Sequence, residues 1–269
     1  MAQIYVDLLA DEDEFLWVGA HFGSRGFGHK TATGFLALAQ GKQFGERASE
    51  GSMDAPPVLF DMRTDLGQAY VEAMTLAGEY AYARRDLVVE RVLSMLGTHA
   101  VEEVHNHHNF AWRERHFGRD YWVVRKGCTP AFPGQRGFVG GSMGDVSVIL
   151  EGADGNDARE ALYSTVHGAG RVMSRRQAAG KRRWVRDKRT GRRYAKTISR
   201  GAIDWDAARR ELAERGIELR GGGADEAPGV YKRLQEVLNA HAGTIRIVHT
   251  LRPLGVAMAG DDVEDPYKD

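Results

Sequence analysis

One histidine, His167, lies in a segment whose residue types suit chemistry on a phosphate group. A neutral imidazole nitrogen can attack phosphorus, and Gly168 and Gly170, which follow it, let the backbone close on a phosphate. Arg171 and Arg175 add positive charge that would neutralise such a group. The pattern predicts phosphoryl or nucleotidyl transfer through His167. A capped turn that carries a structural histidine is the alternative for this segment taken alone.

A second segment, from His21 to His29, couples two histidines with three glycines, Ser24 and Arg25. An imidazole at the end of a strand is well placed to ligate a divalent metal, and Ser24 and Arg25 could hold a phosphate beside it. A surface turn that uses its glycines for positive φ is the alternative.

A third segment, from His105 to His116, holds four of the ten histidines. Metal coordination explains this density more economically than a solvated loop does, with the neighbouring asparagines orienting the imidazoles. Spacing alone does not choose among His105, His107 and His108.

Two glycine-rich loops, 125–131 and 140–147, offer the cations, glycines and hydroxyl groups of an anion or nucleotide pocket. Tyr231 follows another glycine-rich stretch, and its ring either stacks on a base or packs in the core. Cys128 is expected to be a small buried residue, because no local base makes it a nucleophile.

The composition is that of a globular protein, with 269 residues of which 42% are hydrophobic. The single cysteine excludes an internal disulfide bond. The first residues lack the basic start and long apolar run of a signal peptide, and no apolar run is long enough to cross a bilayer. We therefore expect a cytoplasmic protein without membrane contact.

The formal net charge of zero hides a basic block at residues 174–200. The block holds twelve Lys and Arg against one acid, Asp187, and the rest of the chain carries a net charge of −11. Aromatic residues flank a Thr-Gly pair within it, which predicts a basic hairpin suited to a polyanion with exposed bases. A solvated charged loop is the alternative, but repulsion among so many cations favours an anionic partner such as nucleic acid.

Short strands and longer helices must position these residues. An apolar run at 15–20 predicts a strand leading into His21, and apolar residues at helical spacing predict a helix from 66 to 96 that stops at Gly97. A short helix is expected within 30–57. Further strands are predicted at 101–104, 121–125, 146–150 and 244–250, and further helices at 204–215 and from 228 to about 241. Without a βαβ rhythm, the predicted fold class is α+β, with mixed sheets flanked by helices.

Seven motifs occur in order along the chain: HFGSRGFGH, HHNFA, RKGCTPA, GGSMGDVS, HGAGRVMSR, DEAPGVYK and HTLRPLGVAMAG. Together they resemble the RtcB family of RNA ligases, from His21 to Gly260. The resemblance implies one RtcB-like catalytic domain over residues 1–269, with the basic hairpin as an insertion at 174–200. It also implies an enzyme dependent on GTP and manganese (Mn²⁺) that joins RNA 3′-phosphate or 2′,3′-cyclic phosphate ends to 5′-hydroxyl ends. Family members act in tRNA splicing or RNA repair, so tRNA halves or broken RNA ends are the expected partners.

The resemblance also implies roles for individual residues. His167 would become guanylylated, and His21 and His108 would bind manganese, with Asn109 supporting His108. Asp7 would read the guanine, Tyr231 would pack against it, and Arg171 would organise the phosphate region. The other residues around the nucleotide would be Ser142, Ser147, Gly168 and Gly170.

The chain departs from the family pattern at the metal site and near its C-terminus. Family members carry an additional aspartate and cysteine that bind metal, and Gln3 and Ile4 stand where an asparagine and a ligand histidine are expected. Ala259 replaces a lysine expected near the nucleotide, and Lys268 is a candidate substitute. About two metal ligands then come from this chain, which predicts weak manganese binding or a separate N-terminal polypeptide that supplies the rest. The alternatives are an inactive RNA-binding remnant, one half of a split ligase and a metal phosphoesterase.

Overall fold

The computed structural model describes residues 5–49, 56–186, 188–191 and 193–260 as a mixed α/β fold. The helices are α1 (Gly26–Ala39), α2 (Asp65–Met95), α3 (Asn156–Glu160), α4 (Arg175–Ala179), α5 (Trp205–Glu214) and α6 (Leu234–Asn239). The strands are β1 (Tyr5–Ala10), β2 (Leu16–His21), β3 (Asn109–His116), β4 (Arg119–Lys126), β5 (Cys128–Pro130), β6 (Arg136–Val139), β7 (Ser147–Gly152), β8 (Ser164–Val166), β9 (Lys181–Arg186), β10 (Arg193–Ser199), β11 (Glu218–Gly222) and β12 (Ile245–Gly260). Two short 3₁₀ helices span Ala224–Glu226 and Pro228–Val230.

The largest sheet has the strand order β2-β1-β12-β7-β6, with β11 beside β12. β12 pairs antiparallel with β7 over its first half and antiparallel with β1 over its second half. β11 pairs with the second half of β12 in parallel, which makes the sheet mixed. The α+β class with mixed sheets, predicted from the sequence, is confirmed.

A hydrophobic cluster lies where β6, β7 and the start of β12 meet α6. Its fully buried members include Val139, Leu150 and Leu234. Val166 and Ala169 belong to the same cluster and lie on either side of His167 in the chain. Because close-packed interiors hold their side chains in place, His167 projects from a segment that is anchored on both sides.

A buried ion pair within the β3–β4 hairpin also makes hydrogen bonds to the segment that leads into β8. Arg125, which is 1% exposed, donates to both carboxylate oxygens of Glu114 at 2.6 and 2.9 Å. It also donates to Ser164 Oγ and to the Leu162 carbonyl oxygen, each at 2.8 Å. Buried pairs are held by such additional hydrogen bonds, so this one fixes β8 against the hairpin.

The boundaries of α2 follow the sequence prediction closely. The Thr64 hydroxyl caps the helix by accepting a hydrogen bond from the Gly67 N–H at 3.2 Å. The helix ends before Gly97, which has a φ of +70°. α1 begins earlier than predicted, because Gly26–His29 form its first turn. A Cβ at Gly28 would overlap Ser24 Oγ, whereas Ala77 of α2 would lie at ordinary contact distance from it.

Two sequence predictions of secondary structure are wrong. Residues 101–104 form no strand, and Val104 instead packs against the buried Leu9, Ile149 and Leu251. The helix predicted from 228 to 241 is broken at Tyr231, which has φ −112° and ψ 156° and forms a bridge with Arg171. That pairing draws the backbone out of the helix.

Within the basic block, β9 pairs antiparallel with β10, and Arg183 lies opposite Lys196. Four residues that the sequence analysis singles out, Gln3, Ile4, Asp187 and Lys268, lie outside the described residues. No helix in the described ranges combines the length and apolar character that crossing a bilayer requires.

Candidate functional site

A cavity of about 2790 Å³ opens beside the large sheet, α2 and the loops around β3 and β8. Every residue to which the resemblance assigns a role lines it. These residues are Asp7, His21, His108, Asn109, Ser142, Ser147, His167, Gly168, Gly170, Arg171 and Tyr231. The fold therefore brings together side chains that are far apart in the sequence.

Three imidazoles from three separate elements meet in this cavity. His21 is the last residue of β2, His108 directly precedes β3, and His167 directly follows β8. The Nε2 atoms of His21 and His108 are 3.0 Å apart. The ring centroids of His108 and His167 are 4.7 Å apart. Asn109 begins β3 next to His108, and its side chain is exposed.

The tautomer of His167 follows from its hydrogen bond. Its Nδ1 lies 2.7 Å from the carbonyl oxygen of Gly127. A carbonyl oxygen can only accept, so Nδ1 carries the proton and Nε2 carries the lone pair. The His167 imidazole is half-buried, and its Nε2 is the nitrogen with nucleophilic character.

His21 is held in its uncharged form. Although one side of it faces the open cavity, the surrounding protein disfavours a charge on its ring and lowers its pKa from the usual 6.5 to about 4, with further lowering by His108, His167 and Arg85. At neutral pH the imidazole is therefore neutral and can offer a lone pair to a cation. Two imidazoles with converging Nε2 atoms suit a first-row divalent metal.

His105 belongs to a different cluster, beside Arg85. The Nε of Arg85 donates to His105 Nε2 at 2.7 Å, so His105 carries its proton on Nδ1. This Nδ1 lies 3.5 Å from Asp86 and 3.8 Å from Glu103. The ligand atoms of Asp86, Glu103 and His105 lie within 4.8 Å of one another, as a metal site requires. A cation there would have to displace the Nδ1 proton, so the arrangement favours orientation of Arg85 over metal binding.

The remaining histidines of the 105–116 segment make contacts of their own. His107 stacks on Phe110 with ring centroids 5.3 Å apart and lies edge-on to Tyr82. His116 is buried, and its Nε2 is 2.8 Å from a Glu114 oxygen. Of the candidates that spacing left open, His108 is the one whose Nε2 meets that of His21.

Arg85 is a site residue that the sequence analysis missed. Its Nη1 donates to the carbonyl oxygen of Phe22, next to His21, at 2.9 Å. The buried residues Ala77, Ala81 and Arg85 follow one another at four-residue spacing on α2. An arginine at an otherwise apolar position of the helical repeat was therefore the sequence signal from which its role could have been predicted.

Tyr231 is held at the cavity wall by Arg171. The guanidinium carbon of Arg171 lies 5.0 Å from the Tyr231 ring centroid, and Nη1 donates to the Tyr231 hydroxyl at 2.9 Å. Arg171 Nη2 donates to the Asp225 carbonyl oxygen at 2.6 Å. The Tyr231 hydroxyl donates to Glu226, and Arg175 pairs with both Asp225 and Glu226. Arg171 thus fixes the tyrosine ring within a buried charged network.

Asp7 is an acid in the sheet without a hydrogen-bond donor among the described residues. It lies in β1 between Gly19 of β2 and Val256 of β12. Burial raises the pKa of its carboxyl group from 3.8 to about 6. A carboxylate held in a cavity wall without a protein partner is poised to accept hydrogen bonds from a ligand.

The loop 140–147 lies directly beside His167. Gly140 forms a bridge with Gly168, and the Ala169 N–H donates to the Gly140 carbonyl oxygen at 3.3 Å. The Ser147 hydroxyl accepts a hydrogen bond from the Gly141 N–H at 3.3 Å. Backbone groups of two glycine-containing loops therefore meet next to the imidazole. Ser142 lines the cavity in the same loop.

These features define a mixed α/β protein whose cavity joins three imidazoles to glycine-rich loops and a half-buried tyrosine. The family model described as tRNA-splicing ligase RtcB matches residues 3–259, and the chain belongs to this family. It is 32% identical over 259 residues to the RNA-splicing ligase RtcB of Escherichia coli K12, covering 92% of this chain and 57% of that protein.

Similar proteins occur in other organisms. The chain is 32% identical to the tRNA-splicing ligase RtcB of Thermococcus kodakarensis, covering 89% of this chain and 52% of that protein. It is 34% identical to the RNA-splicing ligase RtcB of Mycobacterium tuberculosis, covering 87% and 55% respectively. The chain therefore spans a little over half the length of these curated relatives.

Proposed function

We propose that this chain carries the nucleophilic histidine of an RNA ligase that uses GTP to join RNA 3′-phosphate or 2′,3′-cyclic phosphate ends to 5′-hydroxyl ends. The observation that carries the proposal is the hydrogen bond from His167 Nδ1 to the Gly127 carbonyl oxygen, which leaves Nε2 with its lone pair. The relatives named as RNA-splicing and tRNA-splicing ligases support RNA as the substrate and tRNA halves or broken RNA ends as its source.

In the first step, His167 Nε2 attacks the α-phosphorus of GTP. A P–N bond forms, the P–O bond to the β-phosphate breaks, and pyrophosphate leaves. Positive charge then develops on the imidazole, and the Gly127 carbonyl oxygen stabilises it through the Nδ1 proton. The protein thereby holds GMP on His167.

In the second step, an oxygen of the RNA 3′-phosphate attacks the phosphorus of the bound GMP, and the P–N bond breaks. A 2′,3′-cyclic end is first opened by water. The 5′-hydroxyl oxygen of the other RNA then attacks the activated 3′-phosphate, and a new P–O bond forms as the P–O bond to GMP breaks. The hydroxyl proton passes to solvent, and GMP leaves. His167 returns to its neutral form with the proton still on Nδ1.

His21 and His108 would hold manganese, with Asn109 beside them. Their fit rests on the 3.0 Å separation of the Nε2 atoms and on the neutral state of His21. When bound, the ion supplies positive charge that offsets the charge of the attacked phosphate. The ion would take further ligands beyond these two imidazoles.

The guanine would lie between Tyr231 and Asp7. The Tyr231 ring offers a stacking face, and the Asp7 carboxylate can accept the hydrogen bonds that guanine donates. The phosphates would contact the backbone at Gly168 and Gly170, with Ser142, Ser147 and Arg171 around them.

The proposal is tested by incubating the purified chain with GTP labelled at the α-phosphate and manganese. Label is expected on the wild-type protein and on a His99→Ala control, since His99 is an exposed histidine outside the three converging imidazoles. His167→Ala is expected to carry none. A second arm adds the N-terminal part of a curated relative. A parallel assay measures binding of RNA to the same proteins. RNA binding together with no label in either arm would identify an RNA-binding protein and overturn the ligase proposal.

A further inference from the structure

The basic hairpin formed by β9 and β10 presents an exposed row of cations. Its exposed Lys and Arg side chains within the described residues are Lys181, Arg183, Arg186, Lys188, Arg189 and Lys196. Asp187 is the one acid in the sequence from 174 to 200. The hairpin therefore has a strongly positive surface on a chain whose remainder is acidic.

Three of these cations share one face of the hairpin. Lys181 and Arg183 are two residues apart on β9, so their side chains project to the same side, and Lys196 lies directly opposite Arg183. None of the ion pairs among the described residues involves these three. Like charges directly across a strand pair destabilise it, so this face gains stability when an anion lies on it.

The base of the hairpin lies close to the cavity. α4 begins at Arg175, which pairs with Asp225 and Glu226 in the cavity wall, and β9 follows α4 after Gly180. A five-residue helix is only about 7.5 Å long. Ala178 of α4 is completely buried and clusters with Ala227 and Val230, close to Tyr231. The hairpin is therefore anchored through α4 to the segment that carries Tyr231.

A second contact anchors the base of the hairpin. Gly201 follows β10 and packs against α4, where a Cβ at Gly201 would overlap the Ala178 carbonyl oxygen. The Ala202 N–H donates to the Gln177 carbonyl oxygen at 2.8 Å. Both strands of the hairpin thus leave the body of the protein at α4, next to the cavity.

We propose that the basic hairpin binds the single-stranded RNA segment that leads to the reacting end, through backbone phosphates a few nucleotides from the cavity. The inference rests on the proposed function, which places an RNA end in the cavity. Flexible single strands with exposed phosphates suit such a charged ribbon, and the contact would not depend on base sequence.

The test compares two triple variants with the same change in charge. Lys181→Gln, Arg183→Gln and Lys196→Gln neutralise the proposed face. Arg119→Gln, Arg209→Gln and Arg210→Gln neutralise three exposed cations on β4 and α5. Binding of a fluorescent twelve-nucleotide RNA with a 3′-phosphate is measured by anisotropy over a range of salt concentrations, and thermal midpoints check that both variants fold.

The hairpin variant is expected to reduce the slope of log affinity against log salt by about 2, since each lost phosphate contact removes roughly 0.7 for a single strand. The control variant is expected to keep the wild-type slope. A mononucleotide 3′-phosphate, which has no further backbone phosphate for the hairpin to contact, is expected to bind equally to all three proteins. Equal slopes for the wild type and the hairpin variant would overturn the inference, and so would hairpin-dependent binding of polyglutamate as tight as that of RNA.

The same proteins separate this inference from the ligase proposal. Transfer of label from GTP to His167 is expected to be unchanged in the hairpin variant, because the hairpin does not contribute to nucleotide binding. Hairpin-dependent RNA binding without any label would overturn the ligase proposal and leave the RNA contact established.

Discussion

The Nδ1–H of His167 donates to the carbonyl oxygen of Gly127 at 2.7 Å. The N–H of the same glycine donates to the carbonyl oxygen of His108 at 2.8 Å. Gly127 has a φ of +72°, a conformation that glycine adopts without strain. One glycine thus sets both the tautomer of the nucleophile and its separation from a candidate metal ligand.

Replacement of Gly127 by alanine is expected to reduce labelling of the protein by GTP about tenfold or more. The new Cβ meets the His167 ring only at ordinary contact distance, so the effect arises from the backbone. A non-glycine residue at positive φ costs about 1–2 kcal/mol, and relief of that strain rotates the carbonyl group away from Nδ1. The initial rate of labelling is the measurement.

Gly118→Ala is the matched control. Gly118 has a φ of +76° in the turn between β3 and β4, with open space where a Cβ would lie. The Gly118→Ala variant should lose as much thermal stability as Gly127→Ala does and should keep the wild-type labelling rate. Equal labelling rates in the two alanine variants would contradict the role given to Gly127.

Asp7→Asn is expected to stabilise the fold at neutral pH. Because burial raises the carboxyl pKa to about 6, the folded chain binds this proton more tightly than the unfolded chain does. The stability contribution of Asp7 is therefore largest below pH 4 and is lost as the pH rises to about 6. Removing the charge should raise the free energy of unfolding at pH 7.5 by on the order of 1–3 kcal/mol, with little change at pH 4.

The measurement is urea unfolding of Asp7→Asn at both pH values, with the exposed Asp13→Asn as control. The same substitution should weaken GTP binding, because the amide cannot accept both guanine hydrogen bonds. Wild-type affinity for GTP should fall as the pH drops through about 6, and the variant should lack this dependence. A variant that gains no stability at pH 7.5 would contradict the burial of this charge.

Substitutions of Tyr231 should separate the contribution of its ring to GTP affinity from that of its hydroxyl group. Tyr231→Phe keeps the stacking face and loses the hydrogen bonds to Arg171 and Glu226, so GTP affinity should fall only severalfold. Tyr231→Leu removes the face and should cost about 1–3 kcal/mol of GTP binding, the range found for base–aromatic stacking. Titration calorimetry gives both values. Equal affinities for the two variants would argue against stacking.

Arg125→Ala should destabilise the fold by about 3–5 kcal/mol, because it leaves the Glu114 carboxylate buried without its partner. Arg113→Ala is the control, since Arg113 pairs with Asp120 at 3.3 Å on the exposed surface. Exposed pairs contribute about 0–1 kcal/mol. The two variants are compared by their free energies of unfolding, measured by urea titration. Similar losses would show that the Arg125 pair is not coupled to the core.

Local patterns were enough to predict several elements that position the site. The apolar run before His21 predicted β2, and the helical spacing after Thr64 predicted α2 with its end at Gly97. These elements have strong signals of their own, in a continuous apolar run or in apolar residues at helical spacing followed by a terminal glycine. The glycines in 26–28 hid the start of α1, because glycine has a low helix propensity.

Which contacts each histidine of 105–116 makes could not be predicted from spacing. His107 and His108 are neighbours in sequence, yet His107 packs on Phe110 while His108 meets His21. His105, in the same segment, instead accepts a hydrogen bond from Arg85, which belongs to another element. Contacts of this kind depend on tertiary packing, and a single sequence carries no direct signal for them.

The pairing of Val6 with Ala257 joins β1 to β12, near opposite limits of the described chain. During synthesis β1 must wait until β12, about 250 residues later in the chain, has left the ribosome before its partner is available. The β7 and β11 strands wait for the same partner. Such distant pairings slow folding and leave strand edges uncovered meanwhile. The nascent chain therefore has a long interval of exposure to chaperones and proteases before the cavity exists.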